Sequence, residues 1–131
     1  MVLDTSSLVA ILSGEPEQQT FIRAIEQSDV RLVSAATLLE ASIVIETRYG
    51  AAGAHHLDRL LERAEVEVVP VDGEQASAAR AAWRRYGKGR HPAALNFGDC
   101  FSYALAVTRG EPLLFKGNDF SQTDVPVVPV T

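Results

Sequence analysis

The sequence predicts an α/β fold in which helices cover both faces of a central, mainly parallel sheet of four to five strands. Two observations carry this prediction. Short apolar runs alternate along the chain with longer segments of helical periodicity, and no pair of strands is joined by a hairpin signal. Parallel strands need long crossover connections, which are usually helices. Together these observations indicate a three-layer α/β/α sandwich.

The first half of the chain carries two predicted strands and four predicted helices. Val2-Leu3 is the first strand, and the hydroxyls of Thr5, Ser6 and Ser7 are typical helix caps. Gly14 separates the helix that follows from the next one. The remaining predicted elements of this half are a helix beginning at 15–17, a strand at 30–33, a helix at about 35–49 and a further helix leading to residue 64.

The second half continues the alternation of strands and helices. Asn96 is the predicted N-cap of a helix that ends at Gly110. The predicted elements are a strand at 66–71, a helix at 75–86, a flexible basic loop at 87–92, a helix at 98–109, a strand at 112–115 and a short fifth strand at 127–128. With no internal repeat or linker, we expect a single domain over residues 1–131.

Length and composition narrow the class of protein. The chain has 131 residues, is 47% hydrophobic and 22% charged, and contains one cysteine, Cys100. These values exclude disorder and a disulfide scaffold, and they leave Cys100 as a small buried side chain. No apolar run approaches the roughly 18 residues that span a bilayer, and the N-terminus lacks a basic signal-peptide region. We therefore expect a cytoplasmic protein with no membrane partner.

The charge of the chain is unevenly distributed. The net charge is −5, but no acidic residue lies between Gln75 and Gly98. This segment carries Arg80, Arg84, Arg85, Lys88, Arg90 and His91. It is either a solvated helix face with its loop or a docking site for an anion such as an RNA backbone. The aromatic residues Trp83 and Tyr86 are three apart and are interpreted as core or dimer contacts.

Carboxylates follow the ends of the predicted strands. Asp4 ends the first strand, Glu40 lies on the helix after the second, Asp99 opens a late helix, and Asp119 follows the fourth strand. Ligands of an open parallel sheet bind at these carboxyl ends. Three of these acids also have a local explanation: Asp4 and Asp99 complement a helix dipole, and Asp119 is an ordinary turn residue.

Glu40 points most directly to a cation. The stretch from Leu38 to Ile45 is apolar almost all round, so we expect a buried helix in which an unpaired carboxylate is costly. Oxygen ligands suit Mg²⁺ or Mn²⁺, whereas zinc-ligand spacing and serine or cysteine nucleophile motifs are absent from the sequence. Carboxylates that hold a divalent cation are typical of phosphoryl chemistry, where the cation orients an attacking water.

At these residues the sequence resembles the PIN-domain nucleases, and specifically the VapC-type toxins of bacterial toxin–antitoxin pairs. The resemblance spans the whole chain and rests on Val2 to Ser6, Glu40, Asn96 to Cys100, and Leu113 to Phe120. It implies a PIN-like sandwich and a Mg²⁺-dependent endoribonuclease, with Mn²⁺ as an alternative ion, that cuts structured RNA such as tRNA or rRNA and inhibits translation. It also implies a homodimer that is neutralised by a VapB-like antitoxin.

The resemblance assigns roles to particular residues. Asp4 and Asp99 are the expected metal ligands, and Glu40 and Asp119 complete the catalytic carboxylates. Many family members carry an acid at the position of Gly117, so Asn118 is a candidate to share the role of Asp119. Further candidates are Thr5 and Ser6, as accessory groups that also serve as helix caps, and Arg85, Lys88, Arg90 and His91 for RNA docking.

Two other functions remain open from the sequence. A phosphoacceptor receiver domain has a similar length and an acidic pocket, with Asp72 as acceptor and Lys116 after the last clear strand, but Leu3-Asp4-Thr5 offers one acid where receivers have two. A catalytically silent PIN domain that only binds partners is the second alternative. A haloacid-dehalogenase phosphatase is excluded, because Ser6 stands where that family needs a second aspartate.

Overall fold

Four strands and five helices make up residues 1–130, which are the part of the chain that this computed structural model describes. They are, in chain order, β1 (Val2–Leu3), α1 (Thr5–Leu12), α2 (Gln18–Glu26), β2 (Leu32–Ser34), α3 (Ala35–Arg63), β3 (Glu67–Val69), α4 (Gly73–Tyr86), α5 (Phe97–Arg109) and β4 (Leu113–Leu114). All strand pairs are parallel, in the order β3-β2-β1-β4. The predicted α/β class with a parallel sheet is confirmed.

The two faces of the sheet carry separate parts of the core. Successive strand residues point to opposite faces, so Val2 packs with α4 and α5, whereas Leu3 packs with α1, α2 and α3. On the neighbouring strands, Leu32 and Leu113 lie on the same face as Val2, and Val33 and Leu114 lie on the same face as Leu3. The sheet is therefore covered on both sides, as an α/β/α sandwich requires.

Helix α3 is two helices that meet at Gly50. The backbone there has φ 68° and ψ −157°, a left-handed conformation that glycine adopts without steric cost. This break agrees with the sequence, which predicts separate helices before and after residue 50. No helix within residues 1–130 is both long and apolar enough to cross a bilayer.

The expectation that the helix around Glu40 is buried all round is wrong. Ala41 and Ile45 face inward, but Leu39 and Ile43 are 63% and 58% exposed. Helix α3 packs against α1, α5, β2 and β3, and these contacts leave Leu39 and Ile43 uncovered. Apolar composition alone did not reveal that the other side is uncovered.

The predicted fifth strand is reduced to a single parallel bridge between Leu113 and Val127. Two backbone hydrogen bonds form this bridge, from Leu113 N to Pro126 O at 2.8 Å and from Val128 N to Leu113 O at 3.0 Å. The two prolines that flank this segment, Pro126 and Pro129, lack the N–H groups that a longer strand needs.

Candidate functional site

The candidate site lies at the carboxyl ends of β1 and β4. The chain leaves β1 toward β2 and β3 and returns on the other side of β1 as β4, so the adjoining loops open a crevice at this switch point. Asp4 N donates to Leu114 O at 3.0 Å and thereby ties the two strand ends together. A cavity of about 440 Å³, here called the acid pocket, is lined by Asp4, Thr5, Ser6, Val9, Glu15, Glu40, Val44, Arg48, Asn96, Asp99, Lys116, Gly117, Asp119 and Phe120.

Asp4 is almost fully buried at 4% exposure and is held by both carboxylate oxygens. Its Oδ2 accepts hydrogen bonds from Ser6 N at 3.0 Å and Ser6 Oγ at 2.7 Å. Its Oδ1 accepts from Ser102 Oγ at 2.6 Å, and Ser102 also lies 3.2 Å from Thr37 Oγ1. Asp4 is therefore both the N-cap of α1 and a wall of the acid pocket. The prediction that the hydroxyls of Thr5, Ser6 and Ser7 cap this helix is wrong, because the helix begins at Thr5 and its cap is the Asp4 side chain.

Asp99 is positioned by the first turn of α5. Asn96 N donates to Asp99 Oδ2 at 3.0 Å, and Asp99 N donates to Asn96 Oδ1 at 2.9 Å. This reciprocal pair is a capping box, which satisfies two helix-end donors at once. It fixes the carboxylate of Asp99 at the edge of the acid pocket and confirms the predicted N-cap.

Burial raises the pKa of Asp99 to about 7, against the lowering effect of the hydrogen bond from Asn96. The negative charges of Asp4, Asp119 and Glu40 raise the pKa further. Three other carboxylates therefore lie close enough to Asp99 to disfavour its ionisation. A cation placed among them would reverse this effect and favour the ionised form.

Glu40 reaches the pocket because position 98 is a glycine. Its Oε1 accepts a hydrogen bond from Thr5 Oγ1. A Cβ atom built on Gly98 would lie 2.2 Å from Glu40 Oε2, so any larger residue there would displace the carboxylate. The Gly98-Asp99 pair thus does two things: glycine admits Glu40, and aspartate supplies a second acid.

The acidic loop after β4 contributes unequally to the pocket. Asp119 lines it with an exposed side chain. Asn118 is also exposed but is not part of the pocket wall, and its carbonyl oxygen accepts a hydrogen bond from Ser121 Oγ at 2.8 Å. Of the two candidates in this loop, the structure brings Asp119 to the site.

Two of the proposed RNA-docking side chains lie at the C-terminal end of α4 and in the loop after it, and each has a partner. Arg85 is exposed and forms an ion pair with Asp124 at 3.4 Å. The guanidinium of Arg90 lies 4.2 Å from the ring centre of Trp83, which is 43% exposed. Trp83 is therefore a surface residue that stacks with a cation, so its interpretation as a core contact is wrong, and a dimer contact at Trp83 stays a prediction. The interpretation of Tyr86 as a core residue is confirmed.

The other two docking candidates are in different surroundings. Lys88 lines a groove of about 640 Å³ between α4 and α5, which shares Asn96 with the acid pocket. His91 is half-buried: its ring packs edge-on to Tyr86, with the centroids 5.0 Å apart, and its Nδ1 accepts from Ala93 N at 3.0 Å. His91 thus has a structural task in the loop.

The interpretation of the sequence did not assign Ser102, Glu15, Arg48 or Lys116 to this site. Ser102 supports Asp4 and lies three residues after Asp99, a spacing that places both on one face of a helix. That spacing was a usable signal. Arg48 and Lys116 line the acid pocket as cations, and only the tertiary structure brings Arg48 there from the far end of its helix.

The oxygen-rich pocket does not by itself form a complete metal cage. Within residues 1–130, no group of three or more His, Cys, Asp or Glu side chains is arranged to hold a metal ion. The protein oxygens of the pocket come from well-separated parts of the chain and leave an open cavity between them.

Comparisons with known proteins agree with this architecture. The PIN-domain family model matches residues 1–126. Ribonuclease VapC30 of Mycobacterium tuberculosis is 56% identical over 128 residues, which are 98% of each chain. Ribonuclease VapC of Mycolicibacterium smegmatis is 57% identical over 128 residues, which are 98% of this chain and 99% of the relative. The chain therefore belongs to the PIN-domain family and, within it, to the VapC ribonucleases.

Solved structures share the fold at low sequence identity. Mycobacterium tuberculosis VapC20, described as a sarcin-ricin loop cleaving toxin, has a TM-score of 0.80 at 21% identity over 99% of this chain and 98% of that chain. VapBC2 from Rickettsia felis, bound to a DNA fragment from its promoter, has a TM-score of 0.75 at 15% identity over 98% and 96%.

The receiver-domain alternative is wrong. Asp72, the acceptor that this alternative requires, is the exposed N-cap of α4 and accepts from Gln75 N at 2.9 Å. It lines a separate cavity beside Pro70 and Thr108 and takes no part in the acid pocket. Membership of the PIN-domain family agrees with this position.

Proposed function

We propose that this chain is a divalent-metal-dependent endoribonuclease toxin that cuts structured RNA, such as tRNA or rRNA, and thereby stops translation. The observation that carries the proposal is the convergence of Asp4, Glu40, Asp99 and Asp119 on one pocket of a VapC-type chain. Acids from four separate parts of the sequence meet there, although Asp4, Asp99 and Asp119 each have an ordinary structural explanation when taken alone.

The donor chemistry of the pocket fits Mg²⁺ or Mn²⁺. Mg²⁺ keeps several waters and takes only one or two protein carboxylates, so it does not need a cage of three or more. Asp4 and Asp99 are the proposed ligands because both are buried, fixed by hydrogen bonds and close enough to interact electrostatically. A bound divalent cation would supply charge neutralisation at the phosphate and orientation of the attacking water.

The remaining pocket residues position groups around that centre. Glu40, held by Thr5 and admitted by Gly98, faces the acids and is proposed to orient the water that attacks phosphorus. Ser6 keeps Asp4 oriented through two hydrogen bonds. Asp119 is proposed to complete the negative charge of the pocket from its exposed side.

The basic segment is proposed to hold the RNA backbone. Lys88 lines the groove that shares Asn96 with the acid pocket, and Arg90 stacks on Trp83 in the wall of that groove. An RNA strand bound along the groove would therefore reach the carboxylates of the acid pocket. Arg85 is available at an exposed ion pair of the kind that contributes little stability. His91 would support this loop through its contact with Tyr86.

We further propose a homodimer, a VapB-like antitoxin and a single domain over residues 1–131 that acts in the cytoplasm, where its RNA substrates are. The VapBC2 complex of Rickettsia felis supports the antitoxin. Leu39, Ile43 and Phe97 are more than half exposed and supply apolar surface for protein contacts. Light scattering on the purified chain tests the dimer, for which the expected mass is twice 14.2 kDa.

The ribonuclease proposal is tested by incubating the purified, antitoxin-free chain with total RNA and Mg²⁺ or Mn²⁺. The wild type is compared with Asp4→Ala and Asp99→Ala, and each is repeated with EDTA. We expect discrete fragments from the wild type that disappear in both variants and in EDTA. Sequencing the fragment ends then identifies the substrate.

A negative result has a defined meaning. If the wild type cleaves no RNA while circular dichroism shows an intact fold, the proposal fails and the silent PIN domain becomes the better explanation. If cleavage persists in both variants or in EDTA, the acid pocket is not the catalytic centre. An exposed acid far from the pocket supplies the matched control, Asp58→Ala, which should cleave like the wild type.

A further inference from the structure

Lys116 is linked to the acid pocket through its main chain and its side chain. Its backbone N–H donates to Ser6 Oγ at 2.9 Å, and Ser6 Oγ donates to Asp4 Oδ2 at 2.7 Å. Its Nζ lies 3.1 Å from Glu15 Oε1 and 3.3 Å from Glu17 Oε2. The position of the lysine is thus tied to the same serine that orients Asp4.

The pocket is strongly negative before any RNA arrives. Its walls carry five carboxylates, those of Asp4, Glu15, Glu40, Asp99 and Asp119, and two cations, Arg48 and Lys116. A phosphodiester that approaches these acids is repelled unless positive charge is available beside them. Lys116 is 37% exposed, so its ammonium group can reach such a phosphate.

Each of the two glutamates contacts Lys116 through one carboxylate oxygen only. Glu15 Oε2 and Glu17 Oε1 are buried and have no hydrogen-bond partner within residues 1–130, although the other oxygen of each contacts the lysine. Partly exposed ion pairs of this kind contribute little to stability. The hydrogen bond to Glu15 raises the pKa of Lys116 and keeps the ammonium charged. A phosphate can therefore compete with the glutamates for this charge.

We propose that Lys116 binds the RNA phosphodiester at the mouth of the acid pocket. In the absence of RNA, Glu15 and Glu17 bind the lysine, and the RNA phosphate replaces them as its partner. This inference rests on the proposed ribonuclease function. Lys116 is a second phosphate contact, separate from the basic segment of Arg85 to His91. Removing Glu15 then strengthens RNA binding, because one competitor for the lysine is lost.

The test measures RNA affinity without cleavage. Fluorescein-labelled transfer RNA is titrated in EDTA, by anisotropy at several salt concentrations, into the wild type, Lys116→Met, Lys116→Arg and Glu15→Gln. We expect Lys116→Met to weaken binding by roughly fivefold and to reduce the salt slope by about one unit, as for the loss of one phosphate contact. Lys116→Arg should stay near the wild type, and Glu15→Gln should bind more tightly.

Arg109→Met is the matched control, because Arg109 is also a partly exposed cation in an ion pair, with Glu67 at 3.8 Å, but lies outside the acid pocket. Circular dichroism confirms that each variant folds. The inference is overturned if Lys116→Met matches Arg109→Met in affinity and salt slope, or if Glu15→Gln weakens binding. Parallel Mg²⁺ assays with Asp4→Ala show separately whether the ribonuclease proposal stands.

Discussion

At the scale of single residues, Asp4 is the best-anchored acid of the pocket. Its side chain accepts from Ser6 and Ser102, and its backbone N–H donates to Leu114 O. A metal ligand must be held within a fraction of an ångström to act without reorganisation. Asp4 could be predicted from its place after a strand. The spacing of Ser102 from Asp99 could show that both lie on one helix face, but the contact of Ser102 with Asp4 could not be predicted, because it depends on packing between distant parts of the chain.

Replacing Ser102 tests this anchoring. We expect Ser102→Ala to lower the free energy of unfolding by about 1–2 kcal/mol, because a buried acceptor of Asp4 loses its donor. We also expect RNA cleavage to fall about tenfold, because the carboxylate is less well oriented. Urea unfolding and cleavage kinetics measure the two effects.

Ser42→Ala is the control for Ser102→Ala, since Ser42 Oγ donates only to Leu38 O within its own helix, at 2.7 Å. It should leave cleavage unchanged. Equal cleavage by the two variants would show that Ser102 does not orient Asp4.

Asp99 makes the stability of the metal-free protein depend on pH. Its pKa is raised from 3.8 to about 7, so between these values the folded chain holds a proton that the unfolded chain has released. The resulting stabilisation is complete below about pH 3.8 and is lost as the pH rises through about 7. In EDTA we expect the Tm of the wild type to fall between about pH 5 and 8.

Asp99→Asn isolates this effect, because asparagine keeps the acceptor for Asn96 N but does not ionise. We expect the variant to be more stable than the wild type by roughly 1–3 kcal/mol at pH 8 in EDTA, and to cleave no RNA. Calorimetry across the pH range measures both curves. If the Tm difference between them does not grow with pH, Asp99 does not titrate in this window.

At the scale of elements, the start of α5 brings the acids together. The capping box of Asn96 and Asp99 was visible in sequence, because an N-cap residue followed three positions later by an acid is a local pattern. The role of Gly98 was not visible, since it depends on the approach of Glu40 from α3. The burial of α3 expected from its apolar composition was wrong for a similar reason: which of its sides other elements cover depends on tertiary packing, and Leu39 and Ile43 lie on the uncovered side.

Gly98→Ala tests the contact between α5 and α3. The added methyl group would meet the end of the flexible Glu40 side chain, which can move away, so we expect little loss of stability. We expect RNA cleavage to fall at least tenfold, because the displaced carboxylate no longer faces Asp4 and Asp99.

Gly73→Ala is the matched control for Gly98→Ala. Gly73 also lies in the first turn of a helix, but a Cβ atom there would meet nothing within 4 Å. It should therefore cleave like the wild type. Full activity in Gly98→Ala would mean that Glu40 is not needed in its present position.

At the scale of the whole molecule, one sheet supports both halves of the core and opens its carboxyl edge to the acids. The order β3-β2-β1-β4 places β1 at the centre, where Asp4 leaves the sheet. Alternation of strands and helices predicted this class of fold, because parallel connections need helices. Strand order and the approach of Arg48 depend on long-range packing, which has no local signature in the sequence.

A single domain predicts a single unfolding transition. Leu3 is fully buried beside α1, α2 and α3, and we expect Leu3→Ala to cost about 2–5 kcal/mol. Val2, the neighbour of Leu3 on the same strand, belongs to the half of the core on the other face of the sheet. We therefore expect the loss of stability to shift a single unfolding transition of the whole domain. Fluorescence of Trp83 on α4 and far-ultraviolet circular dichroism should report the same midpoint. Separate midpoints would indicate two independently folding units.

The proposed metal site is tested most directly by measuring whether the acid pocket binds a divalent cation in the absence of RNA. Mn²⁺ is titrated into the wild type, Asp4→Asn, Asp99→Asn and the control Asp58→Asn, and free Mn²⁺ is followed by electron paramagnetic resonance. We predict saturable binding to the wild type and to Asp58→Asn, with affinity at least tenfold weaker in Asp4→Asn and Asp99→Asn. Equal Mn²⁺ affinity in all four proteins would contradict a metal site built on Asp4 and Asp99.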